Sequence, residues 1–164
     1  MSPTPKATAL AAGPASDGLE ARLIATIAPV FRHLLSHARR RPGWKSLTYQ
    51  QYNVLRIIDG EEPMPQADIA RRLLVSAPVV TRLAATLVDA GYVLRGTDPD
   101  DRRAVRLSLT PKGRRKVRAM RRDLLAAAEE LLAPLPANRR AAVGAALDEL
   151  TVLLPTRRVT ARHR

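Results

Sequence analysis

The sequence contains no cysteine, which removes disulfides, thiolate metal sites and thiol-based redox sensing. Aromatic residues are scarce, 3% of the chain, although 46% of residues are apolar. Leu, Ala and Val must therefore carry the packing, a bias that favours a helical protein. No apolar run approaches the ~18 residues that a membrane span needs. The opening MSPTPKATALAAGPASDG has no basic stretch leading into an apolar core, so it does not read as a secretory signal. Residues 1–16 are expected to form a disordered leader, and a cytoplasmic, nucleoid-associated location is the default expectation. Acids are the last scarcity: 15 against 28 Lys and Arg, a formal net charge of +13. Such an excess calls for a polyanionic partner, either nucleic acid or an anionic membrane surface.

The basic charge is concentrated. Between Arg95 and Arg122 stand eleven Lys or Arg and only three Asp. Catalytic machinery is missing: there is no Gly-rich phosphate loop and no Ser-His-Asp arrangement in a supporting context. The three histidines are His33, His37 and His163. His33 and His37 stand one helical turn apart, a spacing that can bind a metal. No carboxylate motif completes that pair, and His37 continues an apolar stripe, so a structural histidine is expected. Neither a metal, a cofactor nor an enzymatic activity is expected.

Along the chain, Leu19, Leu23, Ile27, Val30, Leu34 and Ala38 recur every three or four residues, as on one helix face. A helix this apolar near a terminus often packs on another chain. RPGW (41–44) ends it. Thr48 and Gln51 have capping-box spacing and open a helix carrying Tyr52, Leu55 and Ile58 inward. A short helix follows from about Pro65 or Gln66, with Ile69 and Leu73 inside. The next runs from Ser76, a candidate N-cap, to Gly91, a candidate C′ residue, with Val80, Leu83, Leu87 and Val88 inside. YVLRGT and AVRLSLT read as two strands of a β-hairpin. Thr110-Pro111 opens a long helix lined by Val117, Met120, Leu124, Ala128, Leu131 and Leu135. A last helix spans 141–154 through Val143, Leu147 and Leu150. The predicted fold is mainly α with a small antiparallel β-hairpin: a winged helix-turn-helix flanked by N- and C-terminal helices.

Four pieces, IARRL, VTRL…AGYVLR, DPDDRRA and LSLTPKG, resemble in order and spacing the signature of MarR-type transcriptional regulators. The resemblance extends over roughly residues 17–154. It implies a homodimer held by the first and last helices, so that 17–45 and 111–154 would be dimerisation elements, 46–110 the DNA-binding lobe and 155–164 a basic tail. It also implies a palindromic double-stranded DNA operator, and repression relieved by a small effector. That effector would sit between the dimer helices and the DNA-binding lobe, where Phe31, His37, Trp44, Tyr52 and Arg56 could receive an anionic aromatic molecule.

The residues themselves support a DNA-facing surface. The helix after Ser76 would turn Ser76, Ala77, Pro78, Thr81 and Arg82 outward, towards base edges in a major groove. Arg82 can donate two bonds to guanine or grip a phosphate. Ala77 and Pro78 offer little direct readout, which shifts weight to shape and phosphate contacts. At the hairpin tip, Arg102 and Arg103 are candidates for minor-groove insertion, with Asp101 orienting one of them. The family pattern associates Asp101 with Arg103, and Arg102 is a close rival. Arg95, Arg106 and Lys112 are candidate phosphate contacts. A non-specific architectural DNA-binding protein is the alternative that the net charge supports.

Overall fold

A computed structural model describes residues 18–98, 101 and 104–154. The expected leader, the basic tail and both Arg102 and Arg103 lie outside the described residues. Helix α1 (Leu19–Ala38) spans the periodic apolar positions and buries only Ala38. Leu19, Ile24, Ile27 and Phe31 stay exposed on it. The RPGW segment does more than end α1. It forms a 3₁₀ turn (Pro42–Trp44) pressed against the long helix α5 (Pro111–Leu132). A Cβ on Gly43 would stand 2.9 Å from the Ala119 backbone, so only glycine lets the two backbones come this close. The Gly43 N–H donates to Asp123 at 2.8 Å and the Trp44 indole N–H donates to the Met120 carbonyl at 3.0 Å.

The capping box at Thr48 and Gln51 forms in both directions, at 3.2 and 2.8 Å, and starts α2 (Tyr49–Gly60). This helix buries Val54 and Ile57 besides Tyr52, Leu55 and Ile58. A two-residue strand β1 (Met64–Pro65) precedes α3 (Gln66–Leu73) and α4 (Ala77–Asp89). Leu74, between those two helices, adopts a left-handed backbone with φ 55°. Its N–H reaches Arg71 O and that of Val75 reaches Ala70 O, a Schellman closure of α3. The end of α4 is closed the same way by Gly91 at φ 72°, with Gly91 N–H on Val88 O and Tyr92 N–H on Leu87 O. The buried residues of α4 are Val80, Ala84 and Leu87; Leu83 and Val88 are half-buried around them.

Strands β2 (Val93–Thr97) and β3 (Val105–Leu109) form the expected hairpin, and β1 adds a third antiparallel strand in the order β1-β3-β2. Met64 faces Leu107, and Val93 faces Leu109. Leu107 and Leu109 are buried, whereas Val105, near the open end of the wing, is exposed. Thr110 caps α5 by accepting the Gly113 N–H at 2.9 Å, and its hydroxyl donates to Gly91 O at 2.7 Å. Gly113 is buried, and a Cβ there would collide with Tyr92 O at 2.1 Å. Helix α5 buries Val117, Met120 and Ala127. The final helix, α6 (Ala137–Leu153), starts earlier than expected and buries none of its residues. Leu55, Ile58, Ile69, Leu87 and Leu107 centre the core, which lies within the winged helix-turn-helix and under α5.

Candidate nucleic-acid interface

The N-terminal half of α4 is the most open part of the lobe. Ser76, Ala77, Pro78, Thr81 and Arg82 are all exposed, while Val80 and Ala84 anchor the opposite side. Ser76 occupies the N-cap position, but its side chain makes no capping bond. The Thr81 hydroxyl accepts from Gln66 Nε2 at 2.7 Å and donates to Ala77 O at 3.0 Å. Gln66 therefore belongs to this surface, a residue the sequence reading did not single out. The available signal was an amide side chain at the first position of the first helix of the motif. A small cleft of about 230 Å³ joins Gln66 and Ala77 to Ala104 and Val105 at the loop end of the wing.

At the wing, Asp98 N–H donates to Ala104 O and Ala104 N–H to Asp101 O, closing the described part of the loop. Arg106 Nε donates to Asp98 Oδ2 at 2.6 Å, and the Asp98 side chain is largely buried. Thr97 faces Val105 across the hairpin, so Asp98 and Arg106 are diagonal neighbours, within reach for long side chains. The aspartate seen holding an arginine is thus Asp98, just past β2, and the arginine is Arg106 on the return strand β3. The expectation that Asp101 orients Arg102 or Arg103 concerns arginines outside the described residues.

The three candidate phosphate contacts separate. Arg95 lies alongside α4, its guanidinium 3.4 Å from Thr81 O. Arg106 is half-buried and engaged with Asp98. Lys112 donates to Ala90 O at 2.8 Å and stands 4.9 Å above the Tyr92 ring. All three donate to groups of the protein itself, Arg95 over the longest distance. The basic stretch on α5 is likewise partly neutralised: Arg114 pairs with Glu62 at 2.6 Å, which raises the arginine's pKa.

Of the candidate effector residues, Tyr52 and Arg56 come together in a cavity of about 450 Å³ between α2 and α5, beside Asp59, Val117, Arg118 and Arg121. Burial pushes the Tyr52 phenol above its ordinary pKa, and the charges of Arg56 and Arg121 oppose that shift. Trp44 and Phe31 do not line this cavity. They belong to an aromatic cluster with Tyr49, in which Phe31 meets Tyr49 edge-on at 4.8 Å and Trp44 lies 5.3 Å from Tyr52. His37 stacks on His33 at 4.0 Å, and its Nδ1 lies 2.9 Å from the His33 carbonyl. Among the described residues no cluster of His, Asp or Glu could hold a metal, and no helix is long and apolar enough to cross a membrane.

Comparison with known proteins adds identity to this geometry. The family model described as the MarR family matches residues 47–105. The HTH-type transcriptional regulator TtmR of Methylorubrum extorquens is 37% identical over 84 residues, 51% of this chain and 40% of that protein. The chain therefore spans less than half of that relative's length. An uncharacterized HTH-type transcriptional regulator of Mycobacterium bovis, Mb0904, is 30% identical over 135 residues, covering 82% of this chain and 94% of that protein. Among solved structures, a mutant MarR from E. coli superposes with a TM-score of 0.73 at 22% identity, covering 82% of this chain and 97% of that one.

Proposed function

The chain belongs to the MarR family of DNA-binding transcriptional regulators, and from that premise we propose that it acts as a homodimer on a palindromic operator, repressing transcription until a small effector binds. The carrying observation is α4, whose N-terminal half is exposed beside the wing while its other face is anchored in the core. Major-groove entry of that end would bring Thr81 and Arg82 to base edges, with Ser76 at a phosphate. Arg102 and Arg103 are proposed for the adjacent minor groove, and the Asp98–Arg106 pair braces the strands beneath them. In a dimer the two α4 helices must stand ~34 Å apart to meet successive major grooves.

The exposed apolar residues of α1 and of α6, among them Ile27, Val143 and Leu147, support dimerisation through these two helices, because surfaces of this kind are seldom left in water. The cavity between α2 and α5, with Arg56, Arg118 and Arg121 around Tyr52, supports an anionic effector. A ligand there shifts DNA affinity by its preference between the DNA-binding and non-binding arrangements of the lobes. A cytoplasmic, nucleoid-associated location follows from this reading.

The small outward residues Ala77 and Pro78, and a Thr81 hydroxyl already bonded on two sides, favour weak direct readout. That gives the architectural alternative its footing. Genome-wide mapping of bound sites, followed by competition of a recovered site against random DNA, separates the two. A preference of ~10³ or more for the recovered site is expected of a regulator. A ratio near one would leave only the architectural reading.

A further inference from the structure

Residues 112, 115, 116 and 119 recur at helical spacing on one side of α5, whereas 117, 118 and 121 occupy the other. The first set borders a second concavity, of about 340 Å³, between the Pro42–Trp44 turn and the start of α5. Lys112, Arg115 and Lys116 line it together with Gly43, Tyr92 and Ala119. Elsewhere in the described chain Arg41, Arg72, Arg106 and Arg114 each meet a carboxylate. Lys112, Arg115 and Lys116 meet none within ion-pair distance among the described residues.

Two of these cations are held in place by backbone. Lys112 Nζ donates to Ala90 O at 2.8 Å and Lys116 Nζ to Lys45 O at 2.7 Å. Both ammonium groups stand over the Tyr92 ring, at 4.9 and 6.0 Å from its centroid. An ammonium has three donors, so each keeps capacity for a ligand. Burial holds Lys116 below its ordinary pKa, with the charge of Asp123 only partly offsetting it. The charged site therefore carries an electrostatic cost that a bound anion would relieve.

We propose that this cleft binds a small anion, a carboxylate or phosphate group carried on an apolar body that lies against Gly43, Ala119 and the Tyr92 ring. The site is distinct from the α2–α5 effector cavity and from the α4 surface. Its volume lies at the small end of ligand pockets, ~300–1,000 Å³. Occupancy is coupled to the recognition helix through Lys112. An anion that draws Lys112 away removes a donor from Ala90 O at the C-terminal end of α4, and the coupling is reciprocal.

The test uses the full chain, titrated calorimetrically with benzoate and separately with inorganic phosphate, with emission of the single tryptophan, Trp44, as a second readout. Binding of either probe to the wild type is expected. Benzoate alone would point to a carboxylate on an apolar body, and phosphate alone to a phosphate group. Arg115→Gln/Lys116→Gln should weaken binding at least about tenfold, and Arg139→Gln, exposed on α6 and outside both cavities, should leave it within about twofold; Arg118→Gln/Arg121→Gln reports on the effector cavity. Should the double variant fold poorly, Arg115→Gln serves alone, since Arg115 is exposed; a drop of about threefold or more is expected there. Failure of both probes to bind, or an unchanged Kd in the Arg115 variants, overturns the proposal. Binding lost only with Arg118 and Arg121 also overturns it, and assigns the anion to the effector cavity instead. A change of about 0.9 per removed cation in the salt slope of DNA binding would place these cations on DNA phosphates and likewise overturn it.

Discussion

Leu74 holds a left-handed backbone and is 80% exposed, so its side chain offers little packing in return for the conformation. A non-glycine residue in that region costs ~1–2 kcal/mol, and glycine's extra unfolded-state freedom costs ~0.5–1 kcal/mol. Leu74→Gly should therefore raise stability by about 0.5–1 kcal/mol in urea melts, and a loss of stability would contradict this account. Gly113 presents the opposite case. Gly113→Ala forces a methyl against Tyr92 O, and a loss of about 1–3 kcal/mol is expected from such overpacking, measured by the same melts. The chemistry of individual side chains is the part that sequence conveys least. Asp98, Asp101, Arg102 and Arg103 all stood in one conspicuous cluster. The acid seen to be buried and engaged is Asp98, because hairpin register sets Arg106 diagonal to it. Gln66 was read only as a helix start, since its role at the surface depends on Thr81 lying across the turn.

At the scale of elements, the wing is a hairpin braced near its loop end by the Asp98–Arg106 pair and fixed at its root by Thr110. Asp98→Asn keeps the shape but removes the charge, leaving Arg106 less firmly held. It should weaken operator binding at least about fivefold, ~1 kcal/mol, in a mobility-shift assay while the Tm stays close to wild type. Unchanged affinity would remove Asp98 from the account of the wing. Thr110→Ala loses an N-cap and the bond to Gly91 O, and should cost about 1–2 kcal/mol of stability. The capping box, the Thr-Pro start of α5 and the glycine end of α4 were legible because each is a local hydrogen-bonding rule. Strand β1 was not, since two residues have no periodicity and pair only because α2 brings Met64 alongside Leu107.

For the whole molecule, the decisive property is the apolar surface that a single chain leaves open on α1 and α6. Ile27→Asp combined with Leu147→Asp should yield a monomer by analytical ultracentrifugation and lower operator affinity by more than tenfold, if dimerisation uses these faces. A double variant that remains dimeric would move the interface elsewhere. Salt belongs to this scale too. With roughly 6–10 phosphate contacts, affinity should fall about 10³–10⁵ between 50 and 200 mM salt, measured by fluorescence anisotropy.

The sequence by itself determined the helix-turn-helix, the hairpin, the absence of thiol chemistry and the apolar faces of the flanking helices, because these follow from composition, period and capping rules acting over a few residues. Only the tertiary structure decided which cations are already engaged. Arg106 and Lys112, read as phosphate contacts, turn inward to Asp98 and Ala90 O, while Lys112, Arg115 and Lys116 line one cleft with Tyr92 and form no ion pair among the described residues. Charge can be counted along a chain, but whether it is neutralised depends on acceptors that folding brings from distant segments.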